Sequence, residues 1–194
     1  FYTFSLSASS DIAFPKKLSL YFSILNMLTR QLINVTVHLG LEHYPNIYCG
    51  VAVFLLYPLY VMDKDINLCE KIGKSVLLLV FLTAFNLNIP NFIWHGFHYP
   101  NSLPCRQSFI YIFFLLTMCY EALSHIKRMT SRQLGIAVWI SLGLLVLIEQ
   151  VFTVDETYDF KAIYLSGAFI LVYAGLMIVY NKTNWKLPVT VFLA

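Results

Sequence analysis

Five apolar stretches, at roughly 47–62, 75–90, 107–125, 134–152 and 162–180, constrain this chain more than any other feature. Each holds sixteen to nineteen residues. As α-helix that is about 24–29 Å, close to the hydrocarbon thickness of a bilayer. The stretches are apolar all round rather than alternating, which favours helices over the strands of a membrane barrel. Of 194 residues, 59% are hydrophobic and 12% charged. A soluble domain carries about 25% charge. So little polar surface cannot coat a soluble body of this size, and it excludes an ordinary soluble domain, a disordered chain and a nucleic-acid-binding module. The expected fold is all-α: a polytopic transmembrane bundle of about five helices over 47–194, plus a sixth, truncated helix starting near Leu187. The chain opens on Phe-Tyr-Thr and closes on Val-Phe-Leu-Ala. Residues 1–194 therefore read as a fragment of one larger membrane domain.

The net charge of +3 is small, so the placement of Lys and Arg matters more than their number. Loop 63–74 holds Lys64, Lys71 and Lys74; loop 126–133 holds Lys127, Arg128 and Arg132; loop 181–186 holds Lys182 and Lys186. Loop 91–106 carries only Arg106, and loop 153–161 sets Asp155, Glu156 and Asp159 against Lys161. Basic loops alternate with poor ones. The positive-inside rule places the first three in the cytoplasm and the other two, with residues 1–46, on the outer face.

Residues 15–40 mix Lys16, Lys17, Arg30 and Gln31 with apolar positions recurring every three or four residues. That pattern suits an amphipathic helix in the outer interface, or a helix packed on the membrane domain. Cys49, Cys69, Cys105 and Cys119 form no CxxC pair and suit neither a zinc site nor a disulfide framework. Gly135, Gly143, Gly167 and Gly175 are expected to let helices pack closely.

The segment 86–106 is unlike the rest. It holds three prolines, four asparagines, two histidines and Arg106 among four aromatics. The prolines oppose a continuous helix and the asparagines favour turns. Its apolar residues suit an irregular loop lying in the outer interface. Arg106 opens the next helix, where free N–H groups and a permanently charged guanidinium together suit phosphate or carboxylate. The alternative is an arginine held by lipid headgroups. His95 and His98 could contact a sugar or phosphate or serve structural hydrogen bonds; no third ligand completes a metal site. Glu149, Asp155, Glu156 and Asp159 at an outer mouth could bind a divalent cation. No other cofactor is indicated.

The stretch Asn91-Phe-Ile-Trp-His-Gly-Phe-His-Tyr-Pro-Asn-Ser-Leu-Pro-Cys-Arg106-Gln-Ser-Phe109 resembles the WHGF…PN…P-x-R-x-SF segment of the YfhO family of bacterial multipass membrane proteins. Tyr44-Pro-Asn-Ile-Tyr-Cys-Gly50 and Glu70-Lys-Ile are similar to that family as well. The family resembles membrane glycosyltransferases of the GT-C type. The resemblance implies a bacterial cytoplasmic membrane location and a polyprenyl-phosphate sugar donor. It also implies a cell-envelope polymer acceptor such as lipoteichoic acid, and chemistry at the extracytoplasmic side. It implies that Trp94, His95, His98, Asn101 and Arg106 bind substrate, with the catalytic carboxylate upstream of this segment. A lipid-linked sugar flippase and a non-catalytic membrane subunit are the alternatives.

Overall fold

The computed structural model describes residues 14–22, 24–35, 45–97, 105–151 and 160–182. Seven α-helices are described: α1 (Ile24–Thr29), α2 (Val53–Met62), α3 (Leu68–Asn86), α4 (Asn88–Trp94), α5 (Ser108–Ser124), α6 (Ser131–Val151) and α7 (Phe160–Lys182). A 3-10 turn, Ile126–Arg128, joins α5 to α6. The fold is all-α. Within α6 and α7, Ser131–Gln150 and Lys161–Lys182 are long and apolar enough to cross a bilayer.

Helix α2 lies at the centre. It packs on α5 and α6, α3 lies against α5, and α7 lies against α6. Seven of the ten residues of α2 are buried. At about 1.5 Å per residue it is roughly 15 Å long, half a bilayer core. The apolar stretch 47–62 is therefore an irregular lead followed by a short internal helix. Pro58 sits inside that helix. Its ring nitrogen carries no hydrogen, so the carbonyl of Phe54, four residues back, loses its helical donor. The buried Ser141 hydroxyl of α6 lies 2.8 Å from that carbonyl and 2.7 Å from its own Ala137 carbonyl. A serine facing a proline-freed carbonyl is the polar repair that a membrane interior requires.

Helix α3 begins at Leu68, earlier than the apolar stretch 75–90. Asn67 caps it by accepting from Cys69 N–H at 3.1 Å. Glu70 and Glu121 both pair with Lys74, at 2.5 and 2.8 Å, so the charges on its first turns are matched. Helix α6 starts at a reciprocal capping box. Gln133 N–H donates to Thr130 Oγ1 at 3.3 Å, and Thr130 N–H donates to Gln133 Oε1 at 2.9 Å.

The stretch 15–40 is not one amphipathic helix. Among its described residues only Ile24–Thr29 is helical, residues 14–22 form an irregular strap with bends at 16–17 and 21–22, and 23 and 36–40 lie outside the described residues. The physical reason is that the strap finds better partners across the chain. Asn88 Oδ1 accepts from Ser19 N–H at 2.9 Å, and Asn88 Nδ2 donates to the Lys17 carbonyl at 2.8 Å. Asn86 Oδ1 accepts from Phe22 N–H at 3.0 Å, and Leu20 bridges to Leu87. Arg30 is buried rather than at lipid phosphate. It donates to the Pro45 carbonyl at 3.3 Å and to Asn46 Oδ1 at 3.1 Å.

Of the glycines expected to admit neighbouring helices, Gly167 alone has a neighbour within 4 Å of a built Cβ, at 3.5 Å from Leu145 Cδ1. Gly135, Gly143 and Gly175 have open space there. Ser141 and Ser166, both fully buried, are the small residues that meet other elements, Ser166 Oγ accepting from Ile33 N–H at 3.2 Å.

Candidate functional site

Helix α3 is nineteen residues long, about 28 Å by its rise, and it separates two polar ends. At its C-terminal end the segment 86–106 is less irregular than its prolines suggest. Pro90 is the third residue of α4, inside the first turn, where no backbone N–H is needed. The helix ends in a Schellman motif. Gly96 has φ +71°, its N–H donates to Ile93 O at 3.1 Å, and Phe97 N–H donates to Phe92 O at 2.9 Å. The Phe92 and Phe97 rings pack edge to face at 6.2 Å, completing the motif's apolar contact.

Trp94 is the last residue of α4, partly exposed, with its ring edge-on to Phe81 at 5.2 Å. His95 follows, and its Nδ1–H donates to the Asn91 carbonyl at 2.8 Å, so the ring folds back on its own helix. Arg106 is exposed, in the turn just before α5. Its neighbour Cys105 has φ +60°, and the Cys105 thiol donates to the Phe85 carbonyl at 3.8 Å. That contact ties the start of α5 to the end of α3, so Arg106 belongs to the same end of the bundle as Trp94 and His95. Burial pushes the Cys105 thiol up to about 12. His98 and Asn101 lie outside the described residues.

Sequence reasoning passed over Gln107, which follows Arg106. It is 4% exposed, and neither its side-chain nitrogen nor its oxygen has a hydrogen-bond partner among the described residues. An unmet buried amide costs about 1–3 kcal/mol. It lies at the mouth of a seventeen-residue helix whose first N–H groups carry partial positive charge. None of the described residues in 14–22, 24–35, 45–52, 86–97 and 105–107 is acidic. Around the strap, α4 and the α5 mouth the described charge is thus positive, with amides and aromatics beside it, while Glu149 at the C-terminal end of α6 lies on the same side of the bundle.

The other end holds a cluster that sequence reasoning did not assemble, because its members lie about sixty residues apart. Buried Asp63 accepts from Asp65 N–H at 2.9 Å and from His125 Nδ1–H at 2.7 Å. Donor atoms of Asp63, Asp65 and His125 lie within 4.8 Å of one another, a spacing a metal ion could bridge. Asp65, however, already accepts from Arg128 at 2.7 Å, and Lys71 donates to the Asp63 carbonyl. The Arg128 hydrogen bond holds the Asp65 carboxyl below the usual aspartate range. Gln133 donates to the Met62 carbonyl at 2.9 Å and Asn181 to the Met129 carbonyl at 2.7 Å. These bonds clasp the α2–α3, α5–α6 and α7 ends together. Of the acidic group expected at an outer mouth, Glu149 accepts from Tyr164 OH at 2.8 Å, and Asp155, Glu156 and Asp159 lie outside the described residues.

Between the ends, an apolar recess of about 450 Å³ lies over α2, bounded by α3, α5 and α6. Tyr57, Leu78, Leu82, Leu115 and Leu144 are among its walls. Its polar lining includes the Tyr57–Ser75 hydroxyl pair at 3.1 Å and Gln31.

No curated protein and no solved structure matches this chain. A family model described as bacterial membrane protein YfhO matches it over residues 1–194. With apolar helices long enough to cross a bilayer and a whole-length match to that model, the chain belongs to the YfhO family of bacterial membrane proteins.

Proposed function

We propose that this chain serves a glycosyltransferase of the GT-C kind, moving sugar from a polyprenyl-phosphate donor to a cell-envelope polymer such as lipoteichoic acid. In this reading α3 and α5 span the bacterial cytoplasmic membrane alongside α6 and α7. The end bearing Trp94, His95 and Arg106 faces outward, with His98 and Asn101 assigned to the same site. The observation that carries the reading is the Arg106–Gln107 pair at the mouth of α5. It sets an exposed guanidinium, helix N–H groups and an unmet buried amide together in a neighbourhood without described carboxylates. A lipid-phosphate donor keeps its tail in the bilayer and its head at the interface, where these groups suit a phosphate and Trp94 suits a sugar face. Transfer also needs a carboxylate base at the acceptor hydroxyl. The described residues around Arg106 offer none, in keeping with a base supplied by another segment of the protein.

The test is donor binding and sugar transfer by the full-length protein. Arg106→Ala removes a charge-assisted contact of about 1.5–3 kcal/mol and should weaken binding of the polyprenyl-phosphate sugar roughly ten- to a hundredfold. Wild-type binding and transfer in that variant would overturn the reading. Movement of the lipid across vesicles with no sugar transferred would favour a flippase instead.

A further inference from the structure

We infer that the strap of residues 14–22 is a docking surface for anionic phospholipid headgroups, built onto the same end of the bundle as Arg106 but distinct from the α5 mouth. The strap buries Pro15 and Phe22 and turns three other apolar residues outward. Phe14 is 55% exposed, Leu18 63% and Leu20 58%, and Lys16 and Lys17 between them are exposed as well. Beside it α4 and its cap expose Ile93 at 49% and Phe97 at 62%. An exposed apolar patch interleaved with lysines is costly in water and favourable at a membrane–water boundary, where rings and aliphatic stems sink and amines reach phosphate.

The patch is also rigid. Asn88 holds the backbone at Lys17 and Ser19, Asn86 holds Phe22, and the Phe14 ring sits edge-on to Phe92 at 5.6 Å. Pinning the strap's backbone at these points fixes where both amines and their apolar neighbours emerge. The partner's charge follows from Lys16 and Lys17, the two charged side chains of the strap, both exposed. Two lysines at a lipid surface contribute about fivefold each to enrichment of anionic over zwitterionic headgroups. At the start of α5, on the same end of the bundle, Phe109 and Phe113 are exposed as well.

The experiment uses the full chain reconstituted in nanodiscs, with Trp139→Phe and Trp185→Phe so that Trp94 alone reports. Spin-labelled phosphatidylglycerol and spin-labelled phosphatidylcholine are compared as quenchers at equal mole fraction. The expected result is quenching at least about twofold stronger by the anionic lipid, lost in the Lys16→Gln/Lys17→Gln double variant and reduced at high ionic strength. Asn88→Ala, which releases the strap without altering its charge, should also reduce the preference. Equal quenching by the two lipids would overturn the inference, as would a preference that survives loss of both lysines. Loss of the preference in Arg106→Gln, with the lysine pair intact and ineffective, would assign the anion to the α5 mouth and likewise overturn it. Inorganic phosphate should compete no better than chloride at matched ionic strength; specific competition would mark a free-phosphate site and contradict a lipid surface.

Discussion

Asp63 shows how much one side chain can hold when it closes a helix end. Its carboxyl group is buried and accepts from Asp65 N–H and His125, and its own backbone carbonyl accepts from Lys71. Asp63→Ala leaves the His125 and Asp65 donors unmet, and thermal unfolding in detergent should show a loss of about 2–4 kcal/mol. Asp65 is different because it is exposed. Its carboxyl is held low by the Arg128 hydrogen bond, so its contribution is full above the ordinary aspartate value of about 3.9 and is lost as pH falls through the lower folded-state value. A carboxyl NMR titration of Asp65 should show that lowered midpoint return to the ordinary range in Arg128→Ala. At this scale the sequence was legible by residue type and not by partner. Arg106 stands out in any reading of 86–106, but Gln107 looks like any surface glutamine until its burial is seen. Arg30 reads as an interfacial cation until its carbonyl partners appear.

At the scale of elements, α2 and α6 depend on each other through one carbonyl. Pro58 frees the Phe54 carbonyl and the Ser141 hydroxyl lies at hydrogen-bonding distance. Ser141→Ala should cost about 1–2 kcal/mol of stability, and Pro58→Ala, which restores a helical N–H, should remove most of that cost in the double variant. Additive losses in that cycle would show that the two residues act independently. The apolar periods locate α5, α6 and α7 well, because long helices buried or lipid-facing all round need no pattern beyond hydropathy. They mislead where polar side chains take over the backbone. Asn67 and the Lys74 pairs let α3 start among charges, and Thr130–Gln133 begins α6 ahead of its apolar run. The asparagines of 86–91 suggest turns, yet two of them reach back some seventy residues to hold the strap. Helical spacing in 15–40 could not reveal that competitor, since the pairing is long-range.

The described residues form a bundle with two chemically different ends. One pairs Asp63 with His125 and Asp65 with Arg128, and the other gathers Arg106, Lys16 and Lys17 with aromatics and amides, with Glu149 on the same side. The helix α3 between them is about as long as a bilayer core is thick. The alternation of basic and poor loops is legible in the sequence because it depends on residue type and spacing alone. The spatial joining of α5's mouth to α3's end through Cys105 is not.

The central claim is that the Arg106 end faces outward and the Asp63–His125 end faces the cytoplasm. Labelling of intact cells with a membrane-impermeant maleimide tests it most directly. Cys69, exposed at the start of α3, reports one end, and Ser102→Cys in a Cys69→Ser chain reports the other. Cys105 stays silent because burial keeps it a thiol. Labelling of Ser102→Cys in intact cells, with Cys69 labelled only after permeabilisation, is the result expected. Labelling of Cys69 from outside, with Ser102→Cys protected until the membrane is opened, would contradict the account.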